Sequence, residues 1–368
     1  MATAQAQAMA EAQAQEMVEL SNNVKDLELK IINLAASNII LSNENIRLSK
    51  LLPNNQDYEF NDNDNILIIK NFDSFLTDEI KNTKYNLLLK LIVKEIFIYS
   101  GIQEIPSNFL NAFTECERIT ISSSITKIKD RAFNGMKKIT SVVFIEPSSL
   151  DEIGLCAFQD LISLTSLTIP NSVTTINPYA FKGMTSLTSL TLSNRVRTIG
   201  ANAFENLTSL TSLTIPNSLT TIENSVFKGM TSLTSLTIPN YVTTIGVNAF
   251  ENLTSLTSLK IPDSVTTIGY YAFKNTCILN GGLIIPNSVK TIGMGSFMDC
   301  KAKTLSIGSS LTRIEMSVFR GMELTSLTIP SNIIYIENSA FSSNNIAIIN
   351  FQEPCSVIQI VFIFNFYE

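Results

Sequence analysis

The 368-residue chain contains no histidine. It therefore lacks the commonest general base, the commonest metal ligand and every Ser-His or Cys-His nucleophile pair. Carboxylates and lysines remain, yet no pair of them shows itself at a fixed place along the chain. The expectation is a non-enzymatic protein with no cofactor and no catalytic or metal-ligating residue.

Charge is scarce as well. Asp, Glu, Lys and Arg make up 16% of the residues, below the roughly 25% usual for soluble domains, and serine and threonine supply the missing polar surface. The net charge of -6 leaves no basic footprint, so nucleic acid is excluded as an expected partner. Five cysteines, Cys116, Cys156, Cys277, Cys300 and Cys355, are scattered without metal-type spacing. They read as buried apolar filler in a reducing compartment. The opening MATAQAQAMAEAQAQEMVEL has no basic start and no continuous apolar run, so it does not read as a secretory signal. No stretch reaches the roughly 18 apolar residues of a membrane span; even VIQIVFIFNF (357–366) is too short. A cytoplasmic protein is expected.

What the chain has in abundance is one phrase, repeated eleven times between residues 100 and 345. Its cleanest copies are TSLTIPNSVTTINPYAF (165–181), TSLTIPNSLTTIENSVF (211–227) and TSLTIPNYVTTIGVNAF (234–250). Leu110 marks the first copy, then Phe133, Phe158, Phe181, Phe204, Phe227, Phe250, Phe273, Phe297, Phe319 and Phe341 mark the rest, about 23 residues apart. Within the copy 164–187, Leu167 and Ile169 alternate with Thr168, which predicts a short strand with one buried face. Pro170 stops that strand for want of an N–H, and Asn171 and Ser172 turn the chain. Val173, Ile176, Ala180, Phe181, Met184 and Leu187 are expected in the core. No copy can close that core alone. Stacked copies can, with their strands pairing about 4.8 Å apart in one continuous parallel sheet. Phe-Lys-Gly-Met and Phe-Glu-Asn-Leu versions alternate along 181–272, so the duplicated unit is a pair of repeats.

Ahead of the repeats, 1–16 is an Ala/Gln-rich start expected to be disordered, and 17–52 carries a heptad. Leu20, Leu27, Leu34, Leu41 and Leu48 fill one seam position, and Val24, Ile31, Asn38, Asn45 and Leu52 the other. Leucine with β-branched residues in this register favours a parallel two-stranded coiled coil, and seam asparagines reject other registers. A homodimer is expected, the alternative being one amphipathic helix lying on its own repeats. No lysine or arginine precedes the heptad, which excludes a DNA-gripping basic zipper. Residues 53–65 read as an acidic linker and 66–95 as a cap of one strand and one helix. The array proper runs over 96–345, and 346–368 is a partial twelfth copy or a cap.

The pattern L-x-x-L-x-I-P-x-x-V-x-x-I-x-x-x-A-F over 96–362 resembles the BspA-type leucine-rich repeat. That resemblance implies a solenoid with a parallel sheet on one side and turns or short irregular segments on the other, used for adhesion or protein binding. The family often has cysteine three places after the phenylalanine. Here Met136, Leu161, Met184, Leu207, Met230, Leu253 and Met322 fill that slot and only Cys300 keeps it.

The outward strand positions form one row: Thr168, Thr191, Thr214, Thr237, Lys260, Ile284, Ser306 and Thr328. This row is the candidate surface for a protein partner, with Lys260 and Ile284 as its exceptions. A cell-surface adhesin is the alternative function, and ice or carbohydrate binding by the threonines a remoter one. Two sequons, Asn206-Leu207-Thr208 and Asn252-Leu253-Thr254, fall out of the repeat itself.

Overall fold

A computed structural model describes residues 58–61, 65–70, 93–276, 282–354 and 359–360. The heptad of 17–52, most of the expected cap helix and the run 361–368 lie outside the described residues.

Each repeat makes one turn with three sides. The first side is the expected strand: Ser166–Thr168 pairs in parallel with Ser189–Thr191, placing Leu167 beside Leu190 and Thr168 beside Thr191. The second side is a two-residue strand, Thr175–Ile176, held between Glu152–Ile153 and Thr198–Ile199. Both sides bond back to the preceding turn, as when the Thr188 N–H donates to the Thr165 carbonyl (2.8 Å) and Gly200 to Ile176 (2.8 Å). The third side has no strand, and its ladder reaches forward instead. The N–H of Phe158 donates to the Ala180 carbonyl (2.8 Å) and that of Phe181 to Ala203 (2.9 Å). Every turn is thus tied to both neighbours through its backbone, which leaves few orphaned polar groups in a narrow rod.

The core runs through the middle. In the copy 164–187, Leu167, Ile169, Val173, Ile176, Ala180, Phe181, Met184 and Leu187 are all buried. The ten phenylalanines from Phe133 to Phe341 are fully buried and stack in one file. Successive centroids lie 4.9 Å (Phe133–Phe158) to 6.0 Å (Phe204–Phe227) apart. Their planes are close to parallel, 4° apart for Phe158 and Phe181, within the range of favourable offset stacking. Leu110 takes the same place one turn earlier, its N–H donating to the Ala132 carbonyl (3.1 Å).

Two backbone positions flanking each ring explain the alternating repeat. Two residues before the ring the chain is left-handed in nine of the turns without help from glycine, from Cys156 (φ 53°) to Asn202 (φ 60°). Two residues after it the chain is left-handed again, occupied in turn by Asp160, Gly183, Asn206, Gly229 and Asn252. Glycine is needed there for more than its φ. A Cβ on Gly183 would stand 2.2 Å from Asp160 Oδ1, and one on Gly229 2.2 Å from Asn206 Oδ1. The acidic or amide side chain of one turn lies over the bare glycine of the next. From Asp160 to Asn252 glycine therefore alternates with Asp or Asn, whereas Asn252, Asn275 and Asp299 follow one another without glycine, Asn275 Nδ2 donating to Asn252 Oδ1 (3.0 Å).

Two expectations need correction. The first-side sheet is not continuous: it falls into a five-stranded run at the N-terminal end, then the pairs Ser166–Thr168/Ser189–Thr191, Ser212–Thr214/Ser235–Thr237, Leu283–Ile284/Leu305–Ser306 and Ser326–Ile329/Ile348–Phe351. Three- and two-residue strands offer few ladder bonds, so small offsets between turns interrupt them. The expected acidic linker, moreover, contributes a strand. Tyr58–Asn61 pairs antiparallel with Ile66–Ile69, and its Tyr58/Phe60 alternation was masked by the surrounding Asn and Asp. The strand Ile66–Ile69 in turn pairs in parallel with Glu95–Ile98, so the sheet begins before residue 96.

Candidate protein-binding face

The first side faces outward with Ser166 and Thr168 exposed on either side of buried Leu167. All eight candidate residues, Thr168, Thr191, Thr214, Thr237, Lys260, Ile284, Ser306 and Thr328, are exposed. Register places Thr168 beside Thr191, Thr214 beside Thr237 and Ile284 beside Ser306. Lys260 differs from the rest, since residues 256–262 form no strand. Ile284 is 65% exposed, a large apolar surface on an otherwise hydroxyl-bearing row. The row is also longer than the repeat pattern indicates. Phe97, Thr120 and Val143 continue it at the N-terminal end, and Asn350 lies beside Thr328 at the other. The first copies depart from the Ser-Leu-Thr wording that marks the others, which concealed them.

The threonines of the repeat are not equivalent. One row on the strand approach binds its hydroxyls to the carbonyl one turn back: Thr188 to Thr165 (3.0 Å), Thr234 to Thr211 (3.2 Å), Thr257 to Thr234 (3.1 Å). A second, before the two-residue strands, does the same from Thr243 to Thr220 and from Thr266 to Thr243 (3.2 Å each). A third, after the ring, does so more loosely, from Thr208 to Thr185 (3.3 Å) and Thr254 to Thr231 (3.4 Å). These hydroxyls are structural. Those of Thr168, Thr191, Thr214, Thr237 and Thr328 have no partner among the described residues. They remain free to bond whatever meets the sheet.

Two shallow clefts lie on this face. One of about 230 Å³ is lined by the neighbouring strands around Thr214 and Thr237. The other, about 360 Å³, opens where Ser141–Phe144 and Ser166–Thr168 part, and Val143, Glu146 and Thr168 line it.

Lysine and carboxylate do recur at a fixed place, contrary to the sequence reading. Lys182 and Glu205 pair at 2.8 Å and Lys228 and Glu251 at 2.8 Å, with Lys274 reaching Glu251 at 3.6 Å. Each occupies the place after the ring in successive turns, so partners stand a full repeat apart and no local spacing betrays them. The glutamates are nearly enclosed, their side chains 12% and 11% exposed. On the side away from the strand face, this ladder joins successive turns. The cysteines are poorly placed to react. Cys116, Cys156 and Cys300 are buried thiols, and burial pushes the Cys116 thiol up to about 12, leaving almost no thiolate at neutral pH. In the sequons, Asn206 packs over Gly229 and Asn252 Oδ1 accepts from Asn275 Nδ2 (3.0 Å).

A model of the BspA-type leucine-rich repeat region, in 6 copies, matches residues 37–163, 151–280 and 277–366. The chain belongs to the BspA-type leucine-rich-repeat family. The BspA-type match begins within the predicted heptad. Among solved structures, the chain is similar to a leucine-rich cell surface protein of Faecalibacterium prausnitzii (22% identity, TM-score 0.50), over 84% of this chain and 98% of that one. It is also similar to a leucine-rich repeat protein of Bacteroides ovatus (21% identity, TM-score 0.51), over 82% of this chain and 80% of that one. At these identities the likeness is one of fold. No curated protein matches the chain. Against the BspA-type pattern, the slot three places after the ring shows why cysteine is dispensable. Met184 and Leu207 fill it as core, while Thr276 Oγ1 and Cys300 Sγ use it to bond the preceding ring residue's carbonyl (2.7 and 2.9 Å).

Proposed function

We propose that this BspA-type solenoid is a non-enzymatic protein-binding scaffold that meets its partner across the outer face of its first sheet, centred on Thr191, Thr214 and Thr237. The observation carrying this is the division among threonines. Threonines in three rows bond their hydroxyls to the turn before. Thr168, Thr191, Thr214, Thr237 and Thr328 leave theirs unused on the longer, exposed strand face, as Thr198, Thr221, Thr244, Thr267 and Thr291 do on the narrower two-residue strands. Free hydroxyls interleaved with serines on a broad surface suit the many modest hydrogen bonds of a protein interface. The heptad of 17–52 would pair two such arrays, and duplicated weak contacts gain avidity when both reach one target.

A second reading, a cell-surface adhesin, draws support from the likeness to the Faecalibacterium cell surface protein along that chain's whole length. One experiment addresses both. A photo-crosslinking residue is placed at Thr214, or at exposed Glu223 as a control. Covalent capture of one partner from position 214 and not from 223 is expected. A partner from the cell interior supports the scaffold, and a host or matrix protein the adhesin. Equal capture at both positions overturns the assignment of the face.

A further inference from the structure

The 360 Å³ cleft between Ser141–Phe144 and Ser166–Thr168 differs from the rest of the face in chemistry. It opens where the repeat lengthens, Phe133 and Phe158 standing two residues further apart than Phe158 and Phe181. No backbone hydrogen bond joins the two strands, which belong to different sheets. The same interruption separates Ser189–Thr191 from Ser212–Thr214, so what distinguishes this cleft is its side chains. Part of the lining is apolar. Val143 is 49% exposed, Phe144 is partly buried edge-on to Phe158 (6.5 Å), and Leu167 lies beside them. The rim carries the hydroxyl residues Thr140, Ser141, Ser166 and Thr168, and one carboxylate, Glu146.

Glu146 is what sets the ligand. One of its oxygens, Oε2, accepts the Ser148 N–H (2.8 Å). The other has no partner, and no cation pairs with the carboxylate among the described residues. Arg118, in register with Ser141 of the cleft, is already matched, holding Glu95 at 2.9 Å. Apolar surface beside hydroxyl acceptors and an unmatched anion suits a long alkyl stem ending in a cation. We infer that this cleft is an anchor pocket for a lysine or arginine side chain of the protein partner. The inference rests on the proposed binding face and assigns its specificity to the N-terminal end of the row.

The test uses the full chain with isotope-labelled Val and Leu methyl groups. N-acetyl-lysine methylamide and N-acetyl-arginine methylamide are titrated in, with the norleucine analogue as an uncharged control. Saturable shifts of Val143 and Leu167 with a cationic probe are expected, with Leu213 unmoved. Glu146→Gln should weaken that binding at least fivefold, and Glu146→Asp should retain more of it. Absence of a saturable shift, an equal response to norleucine, or an unchanged affinity in Glu146→Gln overturns the pocket. Capture through Thr214 can succeed while this titration fails, so loss of the pocket and loss of the binding face are told apart.

Discussion

At the scale of the residue, the left-handed place after each ring decides what the repeat tolerates. Gly229 has φ 75° and lies under Asn206. An alanine there meets two penalties. The first is the roughly 1–2 kcal/mol of a Cβ in left-handed backbone, and the second is the overlap with Oδ1. Asn206→Gly alone should cost little, since glycine accepts this conformation. In urea unfolding, Gly229→Ala is expected to lose more than the backbone penalty, and the double variant to recover the difference. Non-additivity of at least about 0.5 kcal/mol marks contact between the sites. Strict additivity would show that the amide of one turn does not use the space above the next.

At the scale of the element, the turns from Phe181 to Phe250 come in two alternating versions, Lys-Gly and Glu-Asn after the ring, that complement each other. Removing 205–227 would set Lys182 next to Lys228 and Gly183 next to Gly229. Removing 205–250 would set Lys182 next to Glu251 and Gly183 next to Asn252, restoring both alternations. The longer deletion is therefore expected to unfold at the higher temperature, although it removes twice as much core. A midpoint that simply falls with the length removed would contradict this. Much of the turn is legible in the sequence. The period-two Leu-Thr-Ile run specifies the strand, and the recurring phenylalanine specifies the stacked file, because both signals are local or strictly periodic. The Lys182–Glu205 pair is not legible, since its members lie in different versions of the repeat. Nor are the breaks in the first-side sheet, which fall after Phe144, where the repeat is longer, and equally between Ser189–Thr191 and Ser212–Thr214, where it is not. The use of the hydroxyl rows is equally hidden: Thr188 and Thr191 belong to one phrase, yet the hydroxyl of the first bonds the Thr165 carbonyl and that of the second bonds nothing among the described residues.

At the scale of the whole molecule, cohesion is one-dimensional. Each turn touches only its neighbours, so stability is approximately a sum of turn and interface contributions. An array of this kind binds tightly most simply by being doubled, which is the part assigned to the heptad. Light scattering is expected to give the full chain twice the mass per particle, and a 53–368 chain the mass of one copy. The same ratio for both would remove self-association from the scheme and leave the solenoid unaffected.

The middle of the strand face has a further consequence. From Ser166 to Thr237 its outward positions are serine and threonine alone, with no ionised group. These positions lend encounter no attraction of their own, and contact confined to them, away from Glu146, proceeds at the unsteered rate, on the order of 10⁵–10⁶ M⁻¹s⁻¹. Added electrolyte has little to screen. A complex seated on these four strands would form as readily in brine as in dilute buffer, and its lifetime would follow from how slowly it lets go.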